Sequence, residues 1–180
     1  MPSLERHPLE PFLPSNAKVL MLGSFPPQQK RWCIDFFYPN FQNDMWRIMG
    51  LRFFADRGAF VDGGGKKFSK EAIVRFLQEE GIALYDTAEV VCRLKDNASD
   101  NFLEVVQPSN LEELLQYIPE CRAIAATGEK AVSEIVSRYK APKPKMGEWA
   151  PISVGHRELR LYRMPSSSRA YPLPLSGKAA

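Results

Sequence analysis

The sequence predicts an α/β protein, a three-layer α/β/α sandwich around a central, mostly parallel sheet of four strands. Three observations lead there. Four short apolar runs recur along the chain, and segments of helical period separate them. Gly, Pro and Ser stand at the junctions, where turns are needed. The runs lack strict alternation, as expected for strands covered on both faces.

Residues 1–16 are rich in proline and are expected to lie as an extended arm. AKVLML, 17–22, is the first strand and stops at Gly23. In NDMWRIMG, 43–50, Met45, Trp46, Ile48 and Met49 share one side of a short helix, and Asn43 stands where a cap belongs. VDGGGKKFS, 61–69, reads as a loop. SKEAIVRFLQEEG, 69–81, has a Ser cap, Ile73, Phe76 and Leu77 on one face, and a terminal Gly. The second strand begins at 81 and runs into the polar loop 92–101. SNLEELLQYIP, 109–119, is a capped helix stopped by Pro119. CRAIAATG, 121–128, is the third strand, and 129–139 the next helix. KAPKPKMGEWAP, 140–151, reads as a basic proline-rich linker. ELRLYRMPSSS, 158–168, is a fourth strand ending in serines, and the closing LSGKAA reads as the opening of a helix. With no internal repeat, residues 1–180 are expected to form a single domain.

No run approaches the roughly 18 apolar residues of a membrane helix, and the first residues have no apolar signal core. A cytoplasmic protein without membrane contact is expected. Cys33, Cys92 and Cys121 are odd in number and far apart, which suits neither a disulfide framework nor a thiolate metal site. His7 and His156 are the two histidines, too few for a zinc cluster. His7 is expected to be exposed on the arm, and His156 to sit in a loop. GGGKK at 63–67 lacks the spacing of a phosphate-binding P-loop. Charge is uneven: residues 1–120 carry 13 Lys/Arg against 17 Asp/Glu, and residues 121–180 carry 11 against 4. The basic last third suits a polyanion, or is simply a solvated surface.

Ligands of parallel sheets gather at the carboxyl ends of the strands, so the loops there matter most. In the first, Gly23 permits a close turn, backbone N–H groups of Gly23, Ser24 and Phe25 can face a ligand, and Phe25 is either a core ring or a face on which a base stacks. In DFFYPNFQNDMW, 35–46, aromatic residues precede Asn40 and Asn43, whose amides can cap a helix, hold a water or meet a base edge. Ser99 and Asp100 can cap a helix or read a base. In MPSSSRAYPLP, 164–174, Ser and Arg beside a stiff turn suit phosphate.

Together these loops resemble the uracil-DNA glycosylase superfamily, and within it the hypoxanthine-DNA (deoxyinosine) glycosylase branch. GSFP at 23–26, FYPNFQNDMW at 37–46, SD at 99–100, ATGEKA at 126–131 and MPSSS at 164–168 stand in the family's order across roughly residues 16–175. The chain departs from it at Phe25, where many members carry a polar residue, at Met164, where His or Asn is common, at Phe41 in place of Pro and at Thr127 in place of Asn. The resemblance implies Asn43 as the catalytic amide, with Asn40 the nearby alternative. It implies a base held by Gly23, Ser24, Phe25, Tyr38, Ser99, Asp100 and Thr127. Pro165, Ser166, Ser167 and Ser168 would grip the DNA backbone, with Arg169 filling the gap left by a flipped base.

The implied activity is a monofunctional DNA glycosylase of base excision repair, a hydrolase that removes a deaminated base, hypoxanthine or uracil, and leaves an abasic site. DNA is the expected partner, the expected state is a monomer, and neither metal nor cofactor is expected. Two other readings stand beside it: a member that binds DNA or nucleotides with weak or no catalysis, and a hydrolase of free nucleosides or nucleotides.

Overall fold

A computed structural model describes residues 2–95 and 99–180. The fold is mixed α/β, with a mostly parallel sheet of five strands and a small antiparallel sheet of three. The four apolar runs all become strands: β2 (Val19–Gly23), β3 (Ile82–Asp86), β6 (Ala123–Thr127) and β8 (Arg157–Met164). β2 lies between β3 and β6, and β6 joins it to β8, all parallel. Every residue of β3 is buried, as are four of five in β2, which explains their unbroken apolar composition.

The expected four-stranded sheet is corrected to five. β7 (Trp149–Val154) pairs antiparallel with β8 at the sheet edge, inside and just beyond the segment read as a linker. Its burial alternates strictly, with Ala150, Ile152 and Val154 inward. Pro151 is compatible with an edge position, where one face of the ladder is unpaired. Prolines and lysines upstream hid this period-two pattern.

The arm is corrected as well. β1 (Ser3–Arg6) pairs antiparallel with β4 (Ala88–Arg93), which pairs in turn with β5 (Leu103–Pro108). Glu5 holds Arg93 by two hydrogen bonds of 2.8 and 3.0 Å, and the Arg93 side chain is only 2% exposed. Thr87 alone separates β3 from β4. Its N–H donates to the Gly23 carbonyl and its own carbonyl accepts from Ser109, so the chain crosses between sheets without stranding backbone groups.

Each helix follows local chemistry. α1 (Met45–Phe54) follows the aromatic stretch. Ser69 caps α2 (Lys70–Glu80), which ends at Gly81 with φ 69°. A Cβ at 81 would meet the Asn16 carbonyl at 2.9 Å, so the position calls for glycine. Asn110 caps α3 (Leu111–Gln116) by accepting from Glu113. α4 (Glu129–Tyr139) starts directly after β6, and α5 (Leu175–Ala179) packs on α1. The main core joins Leu20, Leu22, Leu84 and Ile124 of the sheet to Ile73, Leu77, Val132 and Ile135 of the helices. A second cluster, Phe25, Ala88, Val91 and Leu103, lies on the small sheet.

Candidate functional site

Four loops far apart in sequence meet at the carboxyl edge of the parallel sheet. Gly23 ends β2 level with Asp86 at the end of β3. A Cβ at Gly23 would stand 2.6 Å from Asp86 Oδ1 and 3.2 Å from the Tyr38 hydroxyl oxygen, so only glycine lets the three approach. Tyr38 Oη is 2.9 Å from Thr127 Oγ1, which donates to the Leu22 carbonyl at 3.3 Å. Gly128 donates to the Met164 carbonyl, and its missing Cβ would sit 3.8 Å from Ser166. Asp44 N–H donates to the Ser167 carbonyl at 2.9 Å. These contacts run in sequence from the first loop through Tyr38 and the β6–α4 turn to the serine loop and the start of α1.

Tyr38 has φ 49°, the left-handed region that non-glycine residues rarely adopt. Its partners hold it there: the hydroxyl on Thr127 and the ring edge-on to Trp46, centroids 6.0 Å apart. Burial pushes the Tyr38 phenol well above the usual tyrosine range, and Asp86 adds to the effect. The phenol is therefore neutral at any physiological pH.

The two asparagines face local duties. Asn43 Oδ1 accepts from Met45 N–H at 2.9 Å, a bond at the first turn of α1, and Asn40 Oδ1 accepts from Gln42 N–H at 3.0 Å. Both side chains are partly exposed. The expected cap at Asn43 is corrected: the N-cap of α1 is Asp44, one residue later, and it makes no side-chain cap bond. Each amide oxygen keeps a second lone pair, so these local bonds and a ligand contact are compatible.

Phe25 is 9% exposed and packs in the second cluster. Its ring lies edge-on to His7, with centroids 5.3 Å apart. Ser99 caps a short 3-10 turn at 100–102 by accepting from Asn101. The other residues of the DNASDN segment, 96–98, lie outside the described residues. The Ser24 hydroxyl is near enough to favour the ionised form of Asp100, which sets the third loop beside the first. In the serine loop, Ser166 Oγ accepts from Ser168 N–H and Ser168 Oγ accepts from Ala170 N–H, two successive side-chain turns. Ser167 is buried, Pro165 half-buried, and Ser168 and Arg169 exposed.

Three site groups escaped the sequence reading. His7, expected on the surface, has a side chain only 2% exposed, and its Nε2 lies 2.7 Å from Asp86 Oδ2. The pairing of β1 with β4, continued by His7 N–H to the Glu89 carbonyl, carries it inward. Asp86 closes the run IALYD, and its place at a parallel strand end was the available signal. Asp44 is the third. Its Oδ1 meets Arg169 at 3.3 Å and Arg47 at 3.9 Å, and its Oδ2 meets Lys178 at 3.4 Å. Lys178 also donates to the Ser168 carbonyl at 2.8 Å. Asp44 thus binds the serine loop and α5 to the start of α1. His156 lies exposed in the β7–β8 turn.

The basic last third is partly spent inside the protein. Arg138 donates to the Ser109 and Thr87 carbonyls, and Arg157 to those of Leu115 and Pro119. Arg163 pairs with Glu129, as does Lys143. The three cysteines are free thiols. Among the described residues no group of His, Cys, Asp or Glu is arranged to hold a metal ion, and no helix is long and apolar enough to cross a membrane.

Desolvation raises the Asp100 carboxyl above the usual aspartate range, outweighing the nearby Ser24 hydroxyl, and the Asp86 charge adds to the rise. A raised carboxylate binds its proton more tightly in the folded chain, so ionised Asp100 opposes folding above the unfolded pKa. Asp100→Asn is expected to raise the melting temperature at neutral pH. The gain should shrink as pH falls and vanish below the ordinary aspartate pKa of about 4, where the carboxyl is protonated in both states. Melting curves across that range check it, and a difference that grows on acidification would contradict it.

The arrangement defines a class first: a mixed α/β fold whose strand-end loops converge on one edge of a parallel sheet. Among solved structures, the chain is similar to the solution NMR structure of a protein from Methanosarcina acetivorans described as a "putative uracil DNA glycosylase". The two are 20% identical, the match covers 93% of this chain and 87% of that one, and the TM-score is 0.62. At that identity the likeness shows a common fold. No family model matches the chain. No curated protein matches it either.

Proposed function

We propose that the chain is a DNA glycosylase of the uracil-DNA glycosylase superfamily, near its hypoxanthine-DNA branch. It would hydrolyse the N-glycosidic bond of a flipped deaminated base, hypoxanthine or uracil, and leave an abasic site. One observation carries this reading: the loops at 23–25, 38–43, 127–128 and 164–168 meet at one edge of the sheet, joined by the Tyr38–Thr127 and Asp44–Ser167 contacts. The solved structure that shares the fold supports it.

A base inside a duplex is out of reach, so it must leave the stack. Ser166 to Ser168 offer hydroxyls and backbone donors to the phosphates on either side, and Arg169, 55% exposed, can leave Asp44 to enter the gap. The base would be held by the turn at Gly23, Ser24 and Phe25, with Tyr38, Thr127, Ser99 and Asp100 around it. Phe25 serves there as a wall whose ring supports His7. As the bond to C1′ breaks, its electron pair leaves with the base, and positive charge builds on the sugar. Fixed dipoles at the base lower that barrier. Asn43 can direct a water at C1′ with its second amide lone pair, and Asn40 stands close in sequence. A neutral amide is a weak base, so the rate should be modest and should favour bases that leave readily.

The experiment is a set of DNA duplexes, each with one altered base, treated with alkali after incubation to reveal abasic sites. Breaks are expected at hypoxanthine or uracil. Asn43→Ala should slow them by about 100-fold or more, as for other groups that handle the attacking water. Asn43→Asp keeps an acceptor for Met45 N–H and separates loss of that bond from loss of chemistry. No break at any altered base, or an unchanged rate in Asn43→Ala, would overturn the reading. Salt-sensitive binding without breaks would indicate a DNA-binding protein instead.

A further inference from the structure

A cleft of about 650 Å³ is lined by His7 but by none of the residues assigned to the base. Its walls follow from the fold. The N-terminal arm, from Arg6 to Leu13, forms one of them. It is held in place where His7 N–H meets the Glu89 carbonyl and where Phe12 bridges to Leu84 of β3. The other wall is α3 with its caps. Asn110, Glu113, Leu114 and Tyr117 recur at the spacing of one helical face, so a single side of this helix is presented to the cleft. Tyr85 of β3 and Glu89 of β4 complete the lining.

Tyr85 is 6% exposed, and its ring packs on His7 and Phe37. Its hydroxyl has no hydrogen-bond partner among the described residues. Burial, and after it the charges of Glu89, Asp86 and Glu10, push the phenol well above the usual tyrosine range. Glu89 and Glu10 both line the cleft, so the hydroxyl is aimed into it, among its carboxylates. A buried hydroxyl left unpaired costs free energy, and a donor held in the cleft would remove that cost. Glu10 and Glu113 are exposed and form no ion pair among the described residues.

The carboxylates of Glu10, Glu89 and Glu113 stand against the guanidinium of Arg6, so the lining favours a cation. They are spread rather than gathered: among the described residues no group of acidic side chains is arranged to hold a metal ion. Spread carboxylates suit a ligand whose own charges are spaced along a chain. Leu9, Pro11, Leu13 and Leu114 supply apolar surface for the methylenes between those charges. Tyr117, 62% exposed, offers a ring face to an ammonium.

We propose that this cleft binds an aliphatic polyamine, whose ammonium centres meet the Tyr85 oxygen and the carboxylates of Glu10, Glu89 and Glu113. Such a site is independent of the glycosylase reading, and its test needs no DNA. Because His7 lines the cleft and also contacts Asp86, the occupant would sit one side chain away from the strand-end loops.

The test is calorimetric titration of the full chain at low salt with spermidine, putrescine, the neutral diol of putrescine's length, magnesium chloride and an N-acetylated lysine amide. Spermidine is expected to saturate a single site and to bind more tightly than putrescine, while the diol and magnesium do not bind. Tyr85→Phe removes the oxygen and keeps the ring, and should weaken spermidine about tenfold, the scale of a hydrogen bond to a charged group. Glu10→Gln combined with Glu113→Gln should weaken it about fivefold, the scale of exposed charge pairs. No saturable binding, or magnesium binding as tightly as spermidine, would overturn the proposal. So would unchanged binding in Tyr85→Phe, which would mean attraction to surface charge alone. If the lysine amide binds as tightly as spermidine, the cleft takes a single basic side chain and the polyamine assignment is wrong. Should Tyr85→Phe not fold, the wild-type amide signals decide: spermidine should shift those of Tyr85, Glu89 and Leu114. Shifts at other acidic surfaces with these unmoved would overturn the proposal as well.

Discussion

Asp44→Ala is expected to destabilise the chain by about 3–5 kcal/mol, the cost of stranding one member of a buried ion pair. For a domain of this size that corresponds to a fall of roughly 6–20 °C in melting temperature. The weight falls on Lys178, whose side chain is 1% exposed and would keep only the Ser168 carbonyl as a partner. Arg169 is 55% exposed, and its share is small because solvent screens it. Arg47 retains the Phe41 and Asn43 carbonyls, at 2.7 and 3.0 Å. Burial and the nearby Arg169 charge already hold its guanidinium below the usual arginine range, so removal of the carboxylate sharpens repulsion among the cations. The double substitution Asp44→Ala with Lys178→Met should recover much of the loss, since a buried pair replaced by apolar groups often costs little. Thermal or denaturant melts of the single and double variants measure this. Equal instability in both would mean that the cluster does not act through Lys178.

Trp46→Ala should cost about 3–5 kcal/mol, the range for removing a large aromatic from a packed interior. Trp46 is fully buried among Phe36, Tyr38 and Phe60. Its Nε1–H donates to the Phe37 carbonyl at 3.1 Å, and losing that partner adds to the cavity cost. The residue also keeps the aromatic stretch in register with α1, and Tyr38 holds its left-handed conformation against this ring. Trp46→Phe should recover part of the packing but not the hydrogen bond, and should therefore fall between wild type and Trp46→Ala in a denaturant melt. A Trp46→Phe protein as unstable as Trp46→Ala would show that the hydrogen bond, not the volume, dominates.

The two central parallel strands β2 and β3 were legible because burial on both faces leaves unbroken apolar runs, VLML and IALY, whereas β6 and β8 bury only alternate residues and were legible from those and from the turns that follow them. α2 and α3 were legible from Ser69, Asn110 and the spacing of Ile73, Phe76 and Leu77. The half-buried strands were not. β5 exposes most of its residues, β7 carries a proline, and β1 has no buried residue at all. Such strands exist through their partners, and pairing between residues 3–6 and 90–93 leaves no local trace. The same reason governs the site. The loops after strands could be located from the chain, whereas His7 meets Asp86 across 79 positions of sequence. Asn43 reads as the cap in the sequence, but it stands one position before the N-cap, which is Asp44; Asp44 acquires its further importance only when α5 folds back.

The N-terminal arm gives the protein an unusual dependence on its first few residues. A protease cut between β1 and Phe12 would leave the parallel sheet and its helices whole, yet would let go of the imidazole that steadies Asp86. Loss of these residues would then be felt locally, around Asp86 at the carboxyl edge of the parallel sheet, rather than as collapse, and an affinity tag fused ahead of Ser3 would bear directly on that edge.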